Sequence, residues 1–275
     1  MTYEYSLAHL TVLECTPTEM AQIAVEAGYN YISIRPIGLG TTNEPTYPLA
    51  QNKKMLRETK NALQQTGIKL LDIEMVRLYD GVDVQTYEPH FEVAAELGGK
   101  HVLTTIKTKN HEAAAEDFAK VCDLAKHYNL TIDLEFLTWY ELSTLQEAKN
   151  VLKLANRENA GILVDTLHFH RSNIQLQELS EIPSEWFHYA HICDATYGTP
   201  TTEESLIHTA RQERLYPGEG VIPICDIVAH LPKVPLSLEI PHLERQKELG
   251  YAKYAKEVLD RTKQYFDQST VLVNK

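Results

Sequence analysis

Short apolar runs alternate with longer stretches of helical periodicity along the whole chain. Eight of these runs predict strands: Tyr5–His9, Tyr31–Arg35, Lys69–Glu74, His101–Thr105, Thr131–Glu135, Gly161–Asp165, His188–Ile192 and Leu236–Ile240. Most lie about thirty residues apart, the length of one strand–helix unit. Between them, apolar residues recur at three- and four-residue spacing. Met20, Ile23, Ala24 and Ala27 make one such face. It is preceded by Thr16-Pro17-Thr18-Glu19, which supplies an N-cap, a proline at the first helical position and a capping-box glutamate, and is ended by Gly28. Phe118, Val121, Cys122 and Ala125 repeat the spacing, as do Tyr251, Tyr254, Ala255 and Val258. Eight such units in 275 residues predict one α/β domain over 1–275, a closed (β/α)8 TIM barrel. A doubly wound open sheet is the competing arrangement, but no glycine-rich nucleotide turn follows the first strand. Two long loops follow strands, 36–51 after the second and 194–221 after the seventh, where barrels build sites and lids or carry decoration and subunit contacts.

Alternation within the strands sorts their side chains. Ile132 and Leu134 share one face, Asp133 and Glu135 the other; Leu236, Leu238 and Ile240 oppose Ser237 and Glu239. Ile162 and Val164 face the helices and leave Asp165 for the barrel mouth, while Ala190 and Ile192 turn His191 inward. Four consecutive strands therefore end with Glu135, Asp165, His191 and Glu239 directed at one axis, at the carboxyl ends where barrel active sites form. One of them alone is as easily an isolated polar strand end; four in register are not. Three carboxylates held together repel strongly, and one divalent cation resolves that repulsion. An imidazole with three carboxylates suits Mn2+, Mg2+, Co2+ or Zn2+.

The charge balance sets the class of partner. With 26 Lys plus Arg against 38 Asp plus Glu, the net charge is −12, which disfavours nucleic acid and anionic membranes. Cys15, Cys122, Cys193 and Cys225 are widely spaced, with no Cys-x-x-Cys pair, and no basic start followed by an apolar run is visible. No apolar run approaches bilayer-spanning length. The expectation is a cytoplasmic protein that binds neither membrane nor nucleic acid.

The chain resembles the xylose isomerase-like barrels, a family that includes sugar and sugar-phosphate isomerases and epimerases and inosose isomerases and dehydratases. The likeness covers nearly the whole chain and rests on Ile132-Asp-Leu-Glu-Phe136, Gly161-Ile-Leu-Val-Asp-Thr-Leu-His168, His188-Tyr-Ala-His-Ile-Cys-Asp194, Pro217-Gly-Glu-Gly-Val-Ile-Pro223 and Leu236-Ser-Leu-Glu239. Each motif is weak alone; their order and spacing are specific. The resemblance implies that Glu135, Asp165, His191 and Glu239 are metal ligands and that His168 is a pocket histidine. It also implies a homodimer or homotetramer. One departure bears on the substrate. Many ketose epimerases of the family carry an arginine shortly after the metal histidine, where this chain has Asp194-Ala-Thr-Tyr197-Gly-Thr; the resemblance to related inosose enzymes, with an arginine before the Pro-Gly-x-Gly turn, implies Arg211 or Arg214 as the substitute.

The implied chemistry is proton transfer at a carbon next to a carbonyl, through an enediolate stabilised by the cation, with Glu135 and Glu239 as base and acid. The expected activity is a metal-dependent isomerase or epimerase acting on a small carbohydrate or cyclic polyol-derived ketone, or a sugar phosphate. The absence of a glycine-rich phosphate cradle leans this toward an unphosphorylated substrate. Loss of a β-hydroxyl from the same enediolate gives the alternative, a dehydratase of the inosose or 3-dehydroshikimate type. A phosphodiesterase of the apurinic-site endonuclease branch is disfavoured by the charge, and a binding protein with a degenerate site by the complete quartet. Around the site, Arg35 and Lys107 are expected either to hold a substrate carboxylate or phosphate or to pair with Glu74. Asp194 is expected to orient a ligand or water. His9 ends the first strand as a barrel-mouth histidine; His101 and His188 begin strands at the far end; Trp139 walls the pocket or packs; Glu219 belongs to its turn.

Overall fold

In the computed structural model, which describes residues 3–38 and 44–273, eight parallel strands close in sequence order into a barrel. They are β1 (Tyr5–Leu7), β2 (Tyr31–Ile34), β3 (Lys69–Tyr79), β4 (His101–Lys107), β5 (Thr131–Glu135), β6 (Ala160–Asp165), β7 (Ala190–Ile192) and β8 (Leu236–Leu238). β8 pairs back onto β1, Leu238 beside Leu7. Ile132, Leu134, Ile162, Val164, Ala190 and Ile192 enter the apolar layer between sheet and helices. Burial of each Val, Leu or Ile among them contributes about 1.5–3 kcal/mol. Leu71, Met75, Leu103, Leu163 and Tyr189 form a separate apolar cluster inside the barrel. Buried Ser6, Ser33, Asp72 and Ser237 add a polar patch, joined through the Ser33 hydroxyl.

The helices follow their local signals. In Pro17–Ala27, Thr16 Oγ1 accepts from the Glu19 N–H at 3.3 Å and Glu19 Oε2 accepts from the Thr16 N–H at 2.8 Å, completing the capping box. Gly28 then takes φ 95°, in the left-handed region. Phe118, Val121, Cys122 and Ala125 are buried on His111–Lys126, and Tyr254, Ala255 and Val258 on Tyr251–Val273. No helix among the described residues is long and apolar enough to cross a membrane.

Most strand ends shift by one or two residues, and the larger differences bear on the site. β1 stops at Leu7, and His9 opens a 3-10 turn, His9–Val12. β3 continues past Glu74 to Tyr79 because Val76 and Leu78 keep feeding the outer apolar layer. The 194–221 connection holds a helix, Glu203–Gln212, capped by Thr202, whose hydroxyl accepts from the Ser205 N–H; its polar first turn hides it in the sequence. Of the 36–51 connection, 39–43 lie outside the described residues. The two connections meet where Arg211 pairs with Glu44 at 2.8 Å.

Candidate active site

Strand register assembles the quartet. Asp165 lies directly beside His191 across β6 and β7, Glu135 ends β5, and Glu239 follows β8. All four are buried, and one donor atom from each lies within 4.8 Å of the others. His191 Nδ1 stands 3.5 Å from Glu239, 3.8 Å from Glu135 and 3.9 Å from Asp165. Neither ring nitrogen of His191 has a hydrogen-bond partner among the described residues, although both are buried. A buried imidazole without partners, ringed by carboxylates, fits a cation site.

Arg214 completes the electrostatics. Its guanidinium donates to Asp165 Oδ2 at 2.6 Å and pairs with Glu239 Oε2 at 2.8 Å, while Nε donates to the Ala210 carbonyl at 2.6 Å. Three carboxylates with one guanidinium leave two negative charges, which one divalent ion balances. Asp165 is further fixed because its Oδ1 accepts from the Leu167 N–H at 2.7 Å. Without a cation, proton affinity shows the same imbalance. Burial opposes a charge on His191, but Glu239 and Glu135 override it and hold the imidazole well above its usual range. Burial pushes Glu135 up to about 7, with His191 opposing and Asp165 and Glu239 adding to the rise. Burial acts the same way on Glu239, yet Arg214 and then His191 hold it well below the usual carboxylate range. A cation and the His191 proton therefore compete for the same carboxylates.

A cavity of about 260 Å³ opens onto this centre, and Glu135 and Glu239 line it together with His168, Trp139, Tyr140, Arg35, Arg77, Lys107, Arg211 and Arg214. His168 is fully buried; burial lowers it to about 4, so its ring is neutral at physiological pH. Its Nδ1 lies 3.4 Å from the Thr138 N–H, which can only donate. The proton therefore sits on Nε2, which has no partner among the described residues. Trp139 meets the His168 ring edge-on at 4.9 Å between centroids.

Several candidates take places other than those expected. Asp194 does not bond to His191. Its oxygens accept from the Ala195, Gly218, Gly220 and Ile222 N–H groups at 2.8–3.0 Å, clamping the Pro217–Gly220 turn. A Cβ on Gly220 would fall 2.5 Å from Asp194 Oδ1, so the clamp needs glycine there. Of the two arginines left open, Arg214 reaches the centre, while Arg211 lines the cavity and pairs with Glu44. Arg35 is committed to Glu74 at 2.8 Å, with Glu44 at 3.3 Å and Glu239 at 3.9 Å. Glu74 lies within β3 rather than at its end, and Lys107 ends β4 exposed at the cavity. His9 is buried, Nε2 3.0 Å from the Cys15 carbonyl and Nδ1 accepting from the Arg35 N–H. Arg77 and Tyr140 were not anticipated; the alternation Val76-Arg77-Leu78 carries the signal for Arg77 once β3 is allowed to continue.

A second group, His101, Asp133 and His188, lies at the opposite end of the strands. There the hydrogen bonds close without an ion. The Thr131 hydroxyl donates to Asp133 at 2.6 Å and accepts from His101 at 2.7 Å, and His188 Nδ1 meets Asp133 at 2.6 Å.

Residues 21–264 match the model of the xylose isomerase-like TIM barrel, and the chain belongs to that family. It is similar to the inosose isomerase of Bacillus velezensis, 22% identical over 227 residues, which cover 76% of this chain and 75% of that protein. It is also similar to the 3-dehydroshikimate dehydratase of Pseudomonas aeruginosa, 22% identical over 67% of this chain but only 31% of the dehydratase. Among solved structures, the IolI protein with a bound zinc atom superposes with a TM-score of 0.77 at 21% identity, covering 95% of this chain and 99% of that one. D-allulose 3-epimerase from Methylomonas sp. in complex with D-allulose superposes with a TM-score of 0.69 at 18% identity, covering 96% and 97%.

Proposed function

We propose that this protein is a divalent-metal-dependent isomerase or epimerase of a small polyhydroxy ketone or aldehyde, acting at the carbon next to the carbonyl. One observation carries the reading: of the four clustered residues, Glu135 and Glu239 are the two that line the cavity. Glu135, Asp165, His191 and Glu239 would hold the cation, which when bound supplies an electrophile for negative charge developing on the substrate. Glu135 and Glu239 take up and return the carbon-bound proton. The neutral His168 donates its Nε2–H to a substrate oxygen, and Trp139 gives the sugar face an apolar wall. Similarity to an inosose isomerase supports an isomerisation, and the zinc in the IolI structure supports a metal centre. Similarity to a 3-dehydroshikimate dehydratase supports a second reading, elimination of a β-hydroxyl at the same site.

Demetallated and metal-reloaded protein, incubated with candidate ketoses and cyclic ketones in D2O, tests both. Isomerisation conserves mass apart from deuterium; elimination loses water. His191→Ala and Asp165→Ala lose metal and turnover, whereas Glu135→Gln loses turnover more than metal. Full activity after demetallation, or neither exchange nor water loss in reloaded protein, refutes the reading.

A further inference from the structure

A second pocket, of about 400 Å³, lies between the short helix Thr166–Arg171 and the helix Glu203–Gln212, bordered by the chain around Ala195 and Leu215. Arg214 is the one residue that lines both this pocket and the barrel-mouth cavity. The charged lining divides by depth. Its two buried members are Arg171 and Arg214, whereas its two acids, Glu213 and Glu244, are exposed. Water screens those acids, and each has a partner of its own: His208 lies 3.2 Å from Glu213 and Lys247 lies 3.0 Å from Glu244.

The two buried arginines differ. Arg214 is matched by Asp165 and Glu239. Arg171 is 7% exposed and forms no ion pair with any described residue. Its guanidinium makes two hydrogen bonds, to the Thr209 hydroxyl at 2.8 Å and the Leu206 carbonyl at 3.4 Å, both neutral acceptors. That leaves N–H donors over. Burial, and then repulsion from Arg214, lower Arg171 to about 10, so it stays charged at physiological pH; Asp165 pulls the other way but is already held by Arg214 at 2.6 Å. A cation buried without a counter-charge is costly until an anion reaches it. His242 adds a second unmet group. It lines the same pocket, and its buried Nδ1 has no hydrogen-bond partner among the described residues.

We infer that this pocket binds a small oxyanion of the phosphate class, seated on the Arg171 guanidinium with His242 as a second donor. A tetrahedral oxyanion has oxygens enough for both groups, and guanidinium takes such anions through paired N–H bonds. The ligand is an effector and not the substrate, because the side chain of Arg214 stands between the pocket and the carboxylate quartet. Its seat is the underside of the helix whose Glu203, Ile207 and Arg211 line the cavity, so an anion on Arg171 steadies the cavity mouth. The site stands or falls independently of the reaction proposed above.

Calorimetric titration of inorganic phosphate into zinc-loaded and demetallated protein, with ionic strength held constant by chloride, tests this. Phosphate should bind both forms with a dissociation constant of about 1 mM or tighter. Arg171→Met should weaken binding about tenfold or more, and Arg171→Lys, which keeps the charge without the fork, by less. Glu213→Gln should tighten it about twofold; Glu213 is exposed, so this variant reports even if substitution of Arg171 impairs folding. Phosphate should also slow amide hydrogen exchange within 203–212. Absence of binding in both forms overturns the inference, as does binding confined to the zinc-loaded form, which capture by the metal would produce. So does binding that survives Arg171→Met, unchanged affinity in Glu213→Gln, or protection that spares 203–212.

Discussion

Replacing Asp194 with asparagine separates a loop clamp from a substrate ligand. The carboxylate is buried, and its two oxygens each accept two backbone N–H groups, Ala195 and Ile222 on Oδ1 and Gly218 and Gly220 on Oδ2. An amide keeps one oxygen and turns an NH2 toward the other pair, so two donors face a donor in either orientation. Hydrogen bonds to a charged acceptor contribute about 1.5–3 kcal/mol each, so the ceiling is about 3–6 kcal/mol. Gly218 is exposed and can recover water, which brings the expected loss to about 2–4 kcal/mol. For a chain of this size that lowers the melting temperature by roughly 5–15 °C. Urea titration and thermal melting measure the loss, and zinc stoichiometry and turnover per folded molecule are measured alongside. Asp194→Asn should melt earlier yet bind zinc with unchanged stoichiometry. Unchanged stability with lost turnover would refute the clamp and return Asp194 to the substrate.

Three further outcomes follow from buried groups. At Gly161, a Cβ would fall 2.3 Å from Asp133 Oδ1 and 2.5 Å from His188 Nδ1, so Gly161→Ala should cost about 1–3 kcal/mol in denaturant melts; a neutral effect would mean the His188–Asp133 bond is dispensable. Burial, with Glu74 adding to it, pushes the Asp72 carboxyl up to about 8, so between its ordinary range and that value the folded chain holds a proton the unfolded chain has lost. Stability from this group therefore falls as pH rises from about 4 to 8, and Asp72→Asn should exceed wild type by roughly 2–5 kcal/mol at pH 9 but not at pH 4; parallel pH slopes for the two proteins would contradict it. Because the surrounding carboxylates hold His191 protonated and burial pushes Glu135 up to about 7, zinc loading at pH 7 should release about one to two protons per ion, one from His191 and part of one from Glu135, read by calorimetry in buffers of different ionisation enthalpy. No proton release would show a neutral imbalance-free imidazole before loading.

The parts of the fold legible in the sequence are those set by local periodicity. Thr16 to Gly28 states its helix in full, and Ile132-Asp133-Leu134-Glu135 states which way each side chain turns, because alternation needs no long-range information. Strand ends were less legible. The register of β3 shifts between Ile73 and Val76, so the alternation that ends at Glu74 does not carry through to Arg77, although Val76 and Leu78 continue the outer face. The role of Asp194, and the choice between Arg211 and Arg214 at the centre, are set by contacts distant in sequence. Asp194 finds three of its four donors 24 to 28 residues downstream, and Arg214 finds Asp165 at a separation of 49. Only the folding of the 194–221 connection decides which of two arginines three residues apart faces the carboxylates.

That choice has an electrostatic consequence. With Arg214 at the centre, a bound divalent ion leaves Glu135, Asp165 and Glu239 neutral as a group, and Arg35 cancels Glu74 beside them. Of the net charge of −12, the three carboxylates and Arg214 account for −2, which the ion offsets, so −10 lies outside this group.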